Sequence, residues 1–335
     1  MAKIRTLVSS FSLRLPGILF CVAIALVALF LSAHYGAPVM LFALLLGMAF
    51  NFVAPTGKTM PGVNFASGTL LRTGVALLGA RIALTDVVAL GPIPLAIVVF
   101  CLFSTIAVGV FISKMLGRNR AFGLLTGGAV GICGASAALA LTSILPKGKE
   151  GISEQDTIFT VIAVTTFSTI AMVFYPAIVS FWGIDDKVAG IFLGATIHDV
   201  AQVVGAGYSI SEEAGDVSTI VKLFRVAMLV PVIAMISIFM FRGVAQAGSA
   251  TKQFPMFLLW FVLLAGANSI GWIPLSVGEW INQASKLALV TAIVGLGVKT
   301  SLKKLVDVGP IAMLIVVSET IWIALIALLG LQFLV

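Results

Sequence analysis

The segment GATIHDVAQVVGAG, residues 194–207, sets His198, Asp199 and Gln202 inside a long apolar run. An imidazole, a carboxylate and an amide can bind an ion or relay a proton. Gln202 lies four and three residues beyond the other two, which on a helix places all three on neighbouring parts of one face. The next apolar run, STIVKLFRVAMLVP, carries Lys222 and Arg225 three residues apart, also on one face. Arg72 and Glu319 each fall near the middle of another such run. Ionisable groups at mid-bilayer cost roughly 2.5–3.5 kcal/mol each on insertion scales, so those that persist should face a bundle interior or a water-filled cavity.

A second chemical signal is LLTGGAVGICGASAALALTSIL, 124–145, with Gly127, Gly128, Gly131 and Gly134 followed by Ser136. Glycine costs a helix about 1 kcal/mol per residue, so the cluster indicates close helix packing or a helix that unwinds. If the helix breaks, the freed N–H groups of its second half form an anion site, with Ser136 as an added donor. Gly128, Gly131, Gly134 and Ser136 therefore join His198, Asp199, Gln202, Lys222, Arg225 and Arg72 as candidate substrate-binding residues. Plainer roles stay open: Lys222 and Lys286 can snorkel to an interface, and Asp199 and Arg225 can be a structural ion pair.

Catalysis and cofactor binding are poorly supported. The GGAVG string is followed by no Lys-Ser/Thr and is no phosphate loop. His198 and Asp199 are adjacent and on a helix point in different directions, and no Ser or Cys is tied to them by a recognisable motif. Cys21, Cys101 and Cys133 show no C-x-x-C spacing. No enzyme activity, metal or cofactor is expected.

These groups must be positioned by membrane helices. Of 335 residues 60% are hydrophobic and 10% charged, and the mean hydropathy is +1.18, far from the roughly 25% charged of a soluble domain. The net charge of +7 does not imply nucleic acid, because no soluble stretch is long enough to form a basic face. Eleven apolar runs of spanning length lie near 15–33, 38–54, 64–83, 92–113, 121–145, 155–181, 187–209, 217–241, 254–272, 281–299 and 308–333. The first is read as a span rather than a cleaved signal, being longer than the roughly 7–15 residues of an h-region. Linkers are short, so a single transmembrane domain over 1–335 is expected.

Basic residues set the orientation. With the N-terminus inside, Lys3, Arg5, Arg14, Lys58, Lys114, Arg118, Arg120, Lys187, Arg242, Lys252, Lys299, Lys303 and Lys304 are cytoplasmic, against Arg81, Lys147 and Lys149 outside. The expectation is N-in and C-out. LGARIALTDVVALGPIPLAIVV, 78–99, also matches LGVKTSLKKLVDVGPIAMLIVV, 296–317, at a constant offset, including the GPI at 91–93 and 309–311. Seven crossings separate the copies on this count, which makes the repeat inverted, as in many secondary transporters.

The segments LRTGVALLGARIAL, LTGGAVGICGASA, GATIHDVAQVVGAG and VSTIVKLFRVAMLVP, in this order and spacing, resemble the YeiH-like family labelled as sulfate exporters, also called UPF0324 membrane proteins. The likeness covers almost the whole chain. The family often carries Glu where this chain has Asp199, which keeps the carboxylate. The resemblance implies an all-α polytopic bacterial inner-membrane transporter, similar to cation/proton antiporters and anion transporters, with inverted repeats and interrupted helices. It points weakly to export of sulfate or a sulfonate. One feature fits poorly: spans five and seven run in the same direction on this count, so either one is re-entrant or the symmetry stops short of the Gly-rich segments.

The expected partners are a small inorganic or organic anion, the lipid bilayer and a coupling H⁺ or Na⁺. Arg72, Lys222 and Arg225 outnumber Asp199 and Glu319 when His198 is neutral, which suits an oxyanion. A channel without a coupled cycle and a membrane enzyme with His198 as general base remain the alternatives. Nothing in the sequence names the substrate or the oligomeric state, and a homodimer is left open.

Overall fold

A computed structural model describes residues 2–36, 38–52, 57–82, 84–148, 151–240, 256–300 and 310–332. Lys149, the linker 242–253 and the stretch 301–309 of the second repeat copy, with Lys303 and Lys304, lie outside the described residues. The helices in chain order are α1 (Ala2–Tyr35), α2 (Val39–Ala49), α3 (Met60–Phe65), a π-helical segment (Ala66–Leu70), α4 (Leu71–Leu78), α5 (Leu84–Ala89), α6 (Pro92–Met115), α7 (Arg120–Gly131) and α8 (Ala135–Thr142). Then follow α9 (Glu154–Phe181), α10 (Asp186–Thr196), α11 (Val200–Ile210), α12 (Glu212–Ala227), α13 (Leu229–Met240), α14 (Met256–Ser269), α15 (Leu275–Lys299) and α16 (Pro310–Leu331). Among the described residues, six helices are long and apolar enough to cross a membrane: Ser12–Tyr35, Pro92–Met115, Glu154–Phe181, Glu212–Ile236, Leu275–Lys299 and Pro310–Leu331. This is an all-helical membrane protein.

The chain divides into two compact units, Met1–Ala89 with Met256–Ser301, and Leu90–Pro255 with Leu302–Val335. In the first, backbones approach closely at glycines, as small residues allow between membrane helices. A Cβ on Gly47 would stand 3.0 Å from the Gly297 Cα. Ser285 Oγ donates to the Gly74 carbonyl at 2.7 Å, fixing α15 on α4.

In the second unit, α6 and α16 run antiparallel. Ser104 meets Trp322 at 3.2 Å, while Gly109 lies by Glu319 and Ile97 by Gly330. The expectation that 121–145 and 187–209 are single crossings needs correction, because each doubles back as a hairpin. Gly128 on α7 faces the Leu141 side chain on α8, two positions that a continuous helix would separate by about 20 Å. The base of this hairpin lies at the start of α9: Asn119 Nδ2 donates to the Gly151 carbonyl at 2.5 Å, Arg118 pairs with Asp156, and Thr142 meets Thr157 at 3.1 Å. In the second hairpin, Gly190 on α10 and Gly207 on α11 both lie against Ala214, near the start of α12.

Local sequence supports each turn of the chain. Asn119 caps α7 by accepting from the Phe122 N–H at 2.8 Å, and Ser153 with Asp156 forms a capping box for α9. Asp185 and Ser211 cap α10 and α12. Arms of 12 and 11 residues rise about 17–18 Å, little more than half of a roughly 30 Å hydrocarbon core. The hairpins therefore enter from opposite ends of α9 and stop midway.

Candidate functional site at the hairpin tips

The tips coincide with the middles of the long helices. Gly131 lies against Leu102 at the centre of α6. The Asp199 N–H donates to Ser168 Oγ at 2.9 Å, at the centre of α9. His198 Nε2 and Thr320 Oγ1 are 3.1 Å apart, at the centre of α16. The two tips also touch one another: a Cβ on Gly134 would lie 3.4 Å from the His198 carbonyl oxygen.

Each tip turns by its own chemistry. In the first, the Gly134 N–H reaches back to the Ala129 carbonyl at 2.8 Å, and Gly134 adopts φ 64°, ψ −127°, a region open essentially to glycine. Gly134→Ala is expected to destabilise the protein by about 1–3 kcal/mol, read as a lower melting temperature and poorer recovery of folded protein from detergent. In the second, Asp199 caps α11 by accepting from the Ala201 N–H at 2.8 Å. The glycines of the first hairpin divide between the two uses expected of them: Gly127 and Gly131 pack on α6 while Gly134 makes the break.

Lys222 and Arg225 join the tips. Lys222 Nζ donates to the carbonyls of Ile132 at 2.9 Å, Ile197 at 2.9 Å and His198 at 2.5 Å. Arg225 Nε donates to Gly131 at 3.0 Å, Nη2 to Val130 at 2.7 Å and Gly131 at 2.8 Å, and Nη1 to Gly194 and Ile197 at 3.0 Å. Both side chains are buried, 0% and 1% exposed. Helix C-termini leave carbonyls without intrahelical partners and carry partial negative charge. The ends of α7 and α10 are therefore neutralised by two cations from α12. Neither cation snorkels to an interface, and their donors face carbonyls rather than a substrate space.

The opposite helix ends differ in character. The N-terminus of α8 has no side-chain cap, and Ser136 in its first turn is exposed. Beside it His198 is fully buried, and Gln202 donates Nε2 to Thr169 at 3.3 Å while its Oε1 has no hydrogen-bond partner among the described residues. The structure thus gathers His198, Asp199, Gln202, Gly131, Gly134 and Ser136 at the tips, with Gly128 one turn back on α7. Arg72 is exposed on α4 of the first unit. Ser168, Thr169, Thr320 and Glu319 also belong to this layer, and the run TTFST, 165–169, is the sequence signal for the first two. Among the described residues no group of three or more His, Cys, Asp or Glu could hold a metal ion.

Comparison with known proteins places these features in context. The family model described as "Conserved hypothetical protein 698" matches residues 16–316. A UPF0324 membrane protein of Chlorobaculum tepidum is 50% identical over 330 residues, covering 98% of this chain and 90% of its own. The UPF0324 membrane protein TauZ of Paracoccus denitrificans is 48% identical over 321 residues, covering 95% and 94%. One from Rhizobium meliloti is 46% identical over 323 residues, covering 95% and 93%. No solved structure matches.

Proposed function

Given that this chain belongs to the UPF0324 family of membrane proteins, we propose that it is a secondary transporter of a small oxyanion, sulfate or a sulfonate, in the bacterial inner membrane. The observation that carries this reading is the pair of oppositely entering hairpins whose tips meet at mid-span. Broken helices meeting at the midplane are how secondary transporters bring backbone dipoles to a substrate. Here both C-terminal ends are neutralised by Lys222 and Arg225, which leaves the uncapped α8 N-terminus and Ser136 to receive negative charge.

The hairpins also improve the topology. With nine crossings and two re-entrant segments, Lys147 and Lys149 move inside and Lys187 moves outside. The basic residues then divide as Lys3, Arg5, Arg14, Lys58, Lys114, Arg118, Arg120, Lys147, Lys149, Arg242, Lys252, Lys299, Lys303 and Lys304 inside against Arg81 and Lys187 outside, a stronger positive-inside bias. The orientation stays N-in and C-out, and the antiparallel run of α6 and α16 supports an inverted relation between 78–99 and 296–317. Single cysteines placed at Lys114 and at Lys147 in a cysteine-free chain should react from the same side of the membrane. Labelling from opposite sides would mean that 121–145 crosses.

Counterflow in proteoliposomes tests the function. Liposomes loaded with unlabelled sulfate or methanesulfonate should transiently accumulate external labelled sulfate. Simple equilibration without an overshoot would indicate a pore, and no movement of any oxyanion would remove the reading.

A further inference from the structure

We propose that Glu319 is the proton-binding group that couples anion movement to a proton gradient, an inference that rests on the transporter reading above. Glu319 sits at the centre of α16, fully buried, with Oε1 2.7 Å from Thr126 Oγ1 on the first hairpin. Its Oε2 has no hydrogen-bond partner, and no ion pair involves it among the described residues. The carboxyl occupies a crevice opened by glycine, since a Cβ on Gly109 of α6 would collide with Oε1. A carboxylate with one donor in a membrane interior is uncompensated.

Thr126 supplies a two-state partner. Its hydroxyl also lies 3.1 Å from the Phe122 carbonyl, and it has one proton to give. When Glu319 is ionised, Thr126 donates to Oε1. When Glu319 carries a proton, its O–H donates to Thr126, whose own proton turns to Phe122. Binding or releasing H⁺ needs only a hydroxyl rotation, and the proton exchanges with water on one side of the membrane or the other.

The elements packed on α16 are α6, α7, α9 and α10. Their titratable groups away from the helix ends are Cys101 on α6 and Tyr175 on α9. Beyond Thr320 stands His198 at the second tip, with Cys133, Asp199, Lys222 and Arg225 around the junction of the tips. Lys114, Arg120, Glu154, Asp156, Asp186 and Lys187 lie at helix ends. Glu319 and Thr320 are consecutive and contact different hairpins, Thr126 of the first and His198 of the second. A negative charge appearing on Glu319 opposes an anion held in the same low-dielectric core, whereas the neutral acid does not. The coupling is therefore symport, anion and proton together.

The test combines transport with spectroscopy. In proteoliposomes, wild-type protein under a gradient acid outside should accumulate labelled methanesulfonate, a monoanion, up to about tenfold per pH unit for one proton per electroneutral cycle. Glu319→Gln should lose the gradient response whatever its rate of counterflow, since an amide cannot take up and release the proton. Full gradient response in Glu319→Gln would overturn the proposal. Independently of any anion, infrared titration of wild-type protein should show a buried carboxylic-acid carbonyl band that Thr126→Val shifts and Glu319→Gln removes. A band unaltered by both variants, or none in wild type at neutral pH, would also overturn it. Wild-type protein that exchanges no oxyanion yet shows this band would instead count against the transporter reading alone.

Discussion

Replacing Arg225 with Met is expected to cost about 3–5 kcal/mol, the scale for removing one member of a buried charged network. The Val130, Gly131 and Gly194 carbonyls that it now serves would lose their side-chain donors in a buried site, while Ile197 would keep Lys222. Lys222→Met should act similarly through the Ile132, Ile197 and His198 carbonyls. The measurement is the melting temperature and the fraction of monodisperse protein after extraction. Asp199→Asn provides the contrast. Asn caps a helix as well as Asp does, so this change should cost under about 1 kcal/mol if capping α11 is the main structural role of the side chain. Adding Asp199→Asn to Arg225→Met should neither rescue nor worsen the single variant beyond about 0.5 kcal/mol, the additivity expected of independent roles. Substantial rescue by the double change would restore a direct Asp199–Arg225 pair as the organising interaction.

Ser136→Ala is expected to weaken oxyanion binding by about tenfold or more while leaving stability unchanged. A hydrogen bond to a charged group contributes roughly 1.5–3 kcal/mol, and about 1.4 kcal/mol is a factor of ten. Ser136 is exposed in the first turn of α8, so its hydroxyl supports no packing that the substitution would remove. The readout is the sulfate concentration giving half-maximal counterflow, compared with the melting temperature of the same preparation. An unchanged half-maximal concentration would move the anion from the first tip toward His198 and Gln202 at the second.

These two predictions separate roles that look equivalent along the chain. Lys222, Arg225, His198, Asp199 and Ser136 are all polar residues in apolar runs, and the cost of placing ionisable groups in a membrane segment marks the first four as purposeful. Which ones face backbone and which face open space depends on neighbours from other helices. A cation in a membrane segment suggests an anionic partner, but the partners of Lys222 and Arg225 are main-chain carbonyls, which every residue carries and no sequence pattern reveals.

That this is a helical membrane protein is legible in the residues alone, because the apolar content and the lengths of the runs suit helices that satisfy their own backbone in lipid. The sequence also marks the Gly-rich stretch 127–136 as a place where a helix either packs closely or breaks, and it puts His198, Asp199, Gln202, Lys222 and Arg225 inside apolar runs. A single helix would set His198, Asp199 and Gln202 on one face, but α10 ends at Thr196 and Asp199 is the N-cap of α11, so a break separates them. That 121–145 and 187–209 double back as hairpins becomes visible in the packing. Hydropathy records how many apolar residues follow one another and is indifferent to whether the second half of a run continues or reverses. The reversal is fixed by contacts distant in sequence, Asn119 with Gly151, Thr142 with Thr157, and Gly190 and Gly207 with Ala214. The same long-range packing gives Lys222 and Arg225 their carbonyl partners, while the N-cap of α8, Gly134, offers no side-chain cap.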